Sequence, residues 1–384
     1  MTIPPEMQQQ IAQMRQDIPH LTASMTDEQI AALIQQPELL VQLPPGKFEL
    51  KSMSAHECGV YGGQMVLQGR WQEAESFFLA QLEKGEKDTD LNQQAEARCS
   101  LGNLCYHRGE MAQALVLFRQ ALSLAERSCS RGLLGSVYSE IGETYRLQGD
   151  YAQAIENYNK SLAIHTEMGN ELSLAVVYGN LGIVCKNMGD AKGAIHFYEK
   201  SLGYSLKLGA DRLTANQYGN LGNVYMLQGR YDLAIQMHQK GLEICLRLGI
   251  QQHIANAYGN LGIVYEKLAI YPAALQMHQK GLEITQRMGD EPGTALIHAN
   301  LASVYQLMGD AGQALGNYDQ AIKIMERTGE KHNAAKLYNN LGLFYYQQGQ
   351  TVQSRVCFQK ALALFEIVGD RQSVDAVAQT LRKV

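Results

Sequence analysis

Glycine occupies positions 69, 109, 149, 189, 229, 309 and 349, a forty-residue ladder broken only by Ala269. A second ladder at 169, 209, 249, 289, 329 and 369 runs twenty residues out of phase with it. Self-similarity at a fixed period of this size marks a solenoid of stacked supersecondary units, not a globule around one catalytic cleft. The half-period offset makes each unit two helices of similar length, each ended by a glycine. Only glycine takes the left-handed conformation after a helix without a Cβ penalty. The pattern predicts an all-α chain.

Composition narrows the partners. The 384 residues carry a formal net charge of −5 and only 18% charged side chains, with no basic stripe that could track a phosphate backbone. Nucleic acid is therefore not expected as a partner. The seven cysteines include no CxxC, and Cys105 and Cys185 fill a helix slot held elsewhere by Tyr145, Tyr225, Tyr265, Tyr305 and Tyr345. They read as small buried apolar groups in a chain from a reducing compartment. The first twenty residues lack a basic start followed by an apolar core, and no run approaches the roughly 18 apolar residues of a membrane span. A cytoplasmic location without a membrane span is expected.

Residues 1–53 do not follow the period and are expected to form an N-terminal helical cap or a regulatory segment. Met7 to Asp17 fits one helix, and Thr26-Asp27-Glu28-Gln29 fits a capping box that opens a short helix with Ile30 inward. Pro37 and the Pro44-Pro45-Gly46 break end the segment. Eight repeats are expected over 54–370, the first a degenerate unit around Tyr61, Gly62, Gly69, Ala74 and Phe78. Residues 371–384 are expected to be a C-terminal capping helix, with Val374, Val377 and Leu381 on the last repeat.

The clearest unit runs from Tyr218 to Gly249. Tyr218, Leu221, Gly222 and Tyr225 recur there at i, i+3, i+4 and i+7, one stripe of a helix. Small residues form two rows: Gly102, Gly142, Gly182, Gly222, Gly262, Ala302 and Gly342, and Ala114, Ala154, Ala194, Ala234, Ala274 and Ala314. Glycine in mid-helix costs about 0.5–1 kcal/mol against alanine, so the first row implies backbone contact between crossing helices. Asp150 with Gln153, and Asp310 with Gln313, are expected to open second helices as N-caps.

Tyr218, Leu221-Gly222, Tyr225, Gly229, Ala234, His238, Gly241 and Leu242 together resemble the tetratricopeptide repeat. The forty-residue length and the YGNLG first helices are similar to the repeats of the Pins/LGN polarity adaptors and rapsyn, and more distantly to kinesin light chain. The resemblance implies a right-handed superhelical solenoid of about eight helix-turn-helix repeats with terminal capping helices. It also implies an inner groove that holds extended peptides, lined by first-helix positions 2, 5, 6, 9, 12 and 13. The Gα-binding motifs that follow the repeats in the Pins/LGN family are not found here, so a link to G-protein signalling is not carried over.

Position six of that frame reads Asn180, Asn220, Asn260, Asn300 and Asn340 in consecutive units. A carboxamide both donates and accepts, so a ladder of them suits the N–H and C=O of an extended peptide whatever its side chains. The alternative is that each Asn bonds local backbone and sets the repeat geometry. Gly219 and Gly259 at position five leave a bare floor beside the ladder. Asn223 at position nine, Asn216 and Asn256 at position two, and Arg146 and Lys186 at position twelve complete the expected lining. His238 and His278 share a slot with Tyr158, Tyr198 and Tyr318, which points to buried packing and not to metal. The recurrent Gly-Asn-Leu-Gly sits in mid-helix and is no phosphate loop.

No catalytic residues, metal or cofactor are expected. The leading expectation is a non-enzymatic scaffold that binds an extended segment of a partner protein. A signalling receptor for a short peptide, like the Rap-type quorum-sensing regulators, remains an alternative, with only about fifty residues ahead of the repeats for an effector bundle. A self-assembling structural protein is a third, associating through the C-terminal cap or the turn at Ile270.

Overall fold

The computed structural model describes residues 53–384, together with residues 8, 11, 12, 26–28, 30 and 50 of the preceding segment. The expected Met7–Asp17 helix and the Pro44-Pro45-Gly46 break lie largely outside the described residues. So does Gln29 of the expected capping box, although the Ile30 N–H donates to the Thr26 carbonyl at 3.0 Å. Ile11 and Ile30 are both buried.

Seventeen helices and no strand occur among the described residues. They fall into two compact units, one ending at Asp190 and the other starting at Ala191. The first unit holds α1 (Ala55–Leu67), α2 (Trp71–Lys87), α3 (Leu91–His107), α4 (Met111–Arg127), α5 (Arg131–Gln148), α6 (Tyr151–Glu167) and α7 (Glu171–Asn187). The second begins with α8 (Ala191–Lys207), α9 (Asp211–Leu227), α10 (Tyr231–Leu248), α11 (Gln251–Lys267) and α12 (Tyr271–Met288). It continues with α13 (Glu291–Leu307), α14 (Ala311–Thr328), α15 (Lys331–Gln347), α16 (Thr351–Val368) and α17 (Arg371–Leu381). Within each unit successive helices pair as hairpins, α1 with α2 and α3 with α4, then α9 with α10 and onward to α15 with α16.

The turns explain the glycine ladders. All thirteen ladder glycines have φ between 63° and 81°. Around Gly69 the Gly69 N–H donates to Val66 O at 3.0 Å and the Arg70 N–H to Met65 O at 2.8 Å. This is the Schellman arrangement, which satisfies carbonyls that a helix end otherwise leaves open. Ala269 obeys the same geometry with φ 57°, as do Thr89 and Cys129 at 57° and 56°. Thr89 and Cys129 extend the second ladder back by two units at positions where no glycine betrays it. Asp150 and Asp310 cap α6 and α14, each accepting from a backbone N–H three residues on, at 3.1 and 3.0 Å. A full capping box stands at Ser54 and Glu57, at the start of α1.

The small-residue row has a different cause from the expected one. A Cβ on Gly102, Gly142, Gly222 or Gly342 would stand 2.6–3.0 Å from the ring of Phe118, Tyr158, His238 or Phe358. The nearest neighbour is thus an aromatic ring from the second helix. Backbone approaches as well: the Ala154 carbonyl is 3.2 Å from that point at Gly142, and the Ser354 hydroxyl donates to Gly342 O at 2.8 Å. Ala74, Ala114, Ala154, Ala194, Ala234, Ala274 and Ala314 are fully buried. At the end of the second unit, Val377 of α17 is buried and packs with Val374 and Leu381 against the cluster around Phe365. Among the described residues no helix is long and apolar enough to cross a membrane.

Candidate functional site

Within the second unit, α11, α13 and α15 bound a groove of about 820 Å³. The helical period repeats every forty residues, so equivalent positions of the three first helices face the same space. Position two contributes Asn256, Leu296 and Lys336; position six contributes Asn300 and Asn340; position nine contributes Ile263, Ser303 and Leu343. Ala299 supplies the floor at position five. Leu296 is 60% exposed and Leu343 38% exposed, so apolar side chains stand open among the amides. Formal charge is balanced, with Glu266 and Asp290 against Lys267 and Lys336. Burial pushes the Glu266 carboxyl above its ordinary range, while Lys267 and a hydrogen bond from Ser303 oppose the rise.

Three expected residues, Asn256, Asn300 and Asn340, therefore meet in one groove. Asn260 and Gly259 lie on α11 but not in its lining, and Asn216, Gly219, Asn220 and Asn223 lie on α9, outside it. Asn180 and Lys186 on α7 and Arg146 on α5 belong to the first unit. Asn180, Asn220, Asn260 and Asn300 are half-buried, and Asn340 is exposed. Among the described residues none of the five carboxamides is tied up by a hydrogen bond to the chain. A Cβ on Gly219 or Gly259 would meet no atom within 4 Å, so neither glycine is required by packing. Sequence reasoning missed Leu296, Glu266 and Lys336, although their positions two and twelve were the signal that would have found them.

The first unit fills the same register differently. Ahead of Asn180, position six holds Ser100 and Glu140. Burial, with Glu143 nearby, pushes the Glu140 carboxyl up to about 7, against a hydrogen bond from Asn103. Burial also acts on Glu143, yet its neighbours hold it below the usual carboxylate range. Arg146 donates to it from Nε at 2.7 Å and from a terminal nitrogen at 2.6 Å, Tyr158 at 2.8 Å and Tyr106 at 3.0 Å. Arg146 is thereby engaged inside the fold. His238 and His278 are 1% and 0% exposed, with neither ring nitrogen hydrogen-bonded. Burial lowers both to about 4, so they pack as neutral rings.

Helical hairpins on a forty-residue period, with a polar groove on their first helices, define a class of repeat array. The family model described as tetratricopeptide repeat matches residues 59–127, 133–205, 213–287 and 293–373, and the chain belongs to that family. Among solved structures the chain is similar to BtubC (BKLC) from P. vanneervenii, at 25% identity over 58% of this chain and 92% of that one, with a TM-score of 0.52. It is similar to the apo form of the quorum sensor NprR from B. thuringiensis at 16% identity, over 94% and 99% of the two chains, with a TM-score of 0.66. Aspartyl phosphate phosphatase F from Bacillus subtilis gives 14% identity, 95% of each chain and a TM-score of 0.62. The last two likenesses are of fold alone. No curated protein matches, and the finer likeness to the Pins/LGN adaptors and rapsyn gains no support.

Proposed function

We propose that the chain is a non-enzymatic interaction scaffold whose second unit holds an extended segment of a partner protein in the groove between α11, α13 and α15. The observation that carries the reading is that Asn256, Asn300 and Asn340 line one groove, and that the Asn300 and Asn340 amides remain free for a ligand. Free amides among open apolar side chains suit an extended backbone, whose N–H and C=O need partners while its side chains need contact area. The balanced charge of the groove favours a segment without strong net charge. The setting is cytoplasmic and reducing, as the cysteine usage suggests.

The test starts from peptides selected on the full chain from a displayed library. Replacing Asn256, Asn300 and Asn340 together with Ala should weaken the selected peptides by about 2–3 kcal/mol, near 1 per lost bond. Melting should shift little. Unchanged binding per folded molecule, or a collapse of melting, would sink the reading. A receptor for a short peptide would use the same groove. Affinity that stops rising beyond five or six residues of peptide would favour the receptor, and affinity that keeps rising with length the scaffold.

A further inference from the structure

The last of the second helices, α16, departs from the period on one face. Val352, Val356, Gln359, Ala363 and Ile367 recur there at the spacing of a single helix stripe. Val352 is 73% exposed, Val356 47% and Ile367 62%, and Gln359 and Ala363 are exposed too. The forty-residue equivalents of Ile367 are charged in all seven other second helices, among them Arg127, Arg247, Arg287 and Arg327. Arg247 and Arg327 pair there with Asp211 and Glu291 of the preceding helix, a contact that Ile367 gives up. No equivalent of Val352 is β-branched; Lys192, Asp232 and Gly312 stand in that place. Open aliphatic side chains gain nothing in water, so the stripe is a surface waiting to be covered.

The stripe itself indicates what covers it, because it is close to a palindrome. About a point between Gln359 and Lys360, Val352 lies as far out as Ile367, and Val356 as far out as Ala363. A second α16 laid antiparallel across it sets Val352 against Ile367 and Val356 against Ala363. Two Gln359 amides then meet at the centre, each able to donate and to accept. Arg355 and Glu366 fall on the same flank of the stripe; both are exposed, and neither makes an ion pair among the described residues. The two-fold axis of an antiparallel pair keeps that flank on one side. Arg355 of one copy thereby comes within two residues, or about 3 Å along the axis, of Glu366 of the other, twice per dimer. A parallel pair would set Arg355 against Arg355.

We propose that the chain forms a two-fold dimer through α16, with Val352, Val356, Ala363 and Ile367 as its apolar seam and Arg355–Glu366 pairs along one flank. None of these residues lines the groove of the second unit, and the surface stands without that reading.

Sedimentation equilibrium of the full chain at pH 7 tests it. One helix against one helix is a small interface, so a dissociation constant of roughly 10 µM is expected. Ile367→Arg and Val356→Gln install residues that equivalent positions already carry, Arg327 and Gln276, so the repeat accommodates both. Each should raise the constant at least about tenfold. Arg355→Glu should weaken the dimer several-fold, and adding Glu366→Arg to it should restore wild-type affinity, a pattern that a parallel pair does not give. A chain that stays monomeric to about 500 µM overturns the proposal and leaves the stripe to a different partner. A dimer that both seam variants leave intact overturns it too, and puts self-association at another surface. Seam variants that weaken the dimer without rescue by the charge swap would overturn the antiparallel pairing.

Discussion

Two kinds of glycine share the first helices, and alanine should tell them apart. Gly219 and Gly259 lie in the interior of α9 and α11, and a Cβ on either meets nothing within 4 Å. Alanine there removes a helix-propensity cost of about 0.5–1 kcal/mol per site with no clash to offset it. The double variant Gly219→Ala, Gly259→Ala should thus gain about 1–2 kcal/mol. Gly222, three residues along α9, is the opposite case, because its Cβ would stand 2.6 Å from the ring of the buried His238. Overpacking of this sort costs about 1–3 kcal/mol, more than the propensity gain. Repeat arrays open segment by segment, so hydrogen exchange within α9 and α11, beside a urea titration, reads each effect where it is made. Protection should rise in the double variant and fall in Gly222→Ala. Neither glycine lines the groove between α11, α13 and α15, so the double variant should bind selected peptides as tightly as the wild type. A destabilised double variant, or a neutral Gly222→Ala, would refute the packing reasoning.

Thr89→Gly, Cys129→Gly and Ala269→Gly each relieve a left-handed residue and should stabilise by roughly 1 kcal/mol, with the β-branched Thr89 gaining most; chemical denaturation checks this. Ile270, 46% exposed, opens α12 without a side-chain cap, so Ile270→Asp should add about 0.5–1 kcal/mol and abolish any self-association through that turn, read by light scattering. His238 and His278 titrate near 4 when folded and near 6.5 when unfolded, so the unfolded chain takes up protons first. Stability should fall as pH drops from 6.5 to 4, by about 3 kcal/mol per ring, and His238→Phe with His278→Phe should flatten that limb of a pH-dependent melting series. Glu140 works in the other direction, since its folded value near 7 exceeds its ordinary 4.5. Its contribution is lost as pH rises through 7, and Glu140→Asn should stabilise more at pH 8 than at pH 5.

The repeat was legible because its cause is local. A left-handed residue after every helix leaves glycine at a fixed spacing, and an aromatic ring lying on a helix leaves a small residue sixteen positions earlier. Both signatures live within one hairpin and need no knowledge of distant contacts. The ladder became invisible at Thr89 and Cys129, and broke at Ala269, where the conformation persists without the residue that announces it. The cause of the small row was misread for a related reason. Sequence shows that space is left empty but not what occupies it, and a ring and a backbone both require the same missing Cβ.

The groove was less legible because it depends on how neighbouring helices lean. Equal spacing makes Asn220, Asn260, Asn300 and Asn340 equivalent, yet only Asn300 and Asn340 line the space bounded by α11, α13 and α15. Departures from the period prove more informative than the period itself. Glu140 in the asparagine slot places a poorly satisfied polar group inside a repeat that has a neutral solution available a few units away, and Ile367 leaves an apolar side chain open where the other second helices carry charge. A regular array spends its repeated residues on stability, so residues that break the repeat at a cost to stability are where recognition of a particular partner is to be sought.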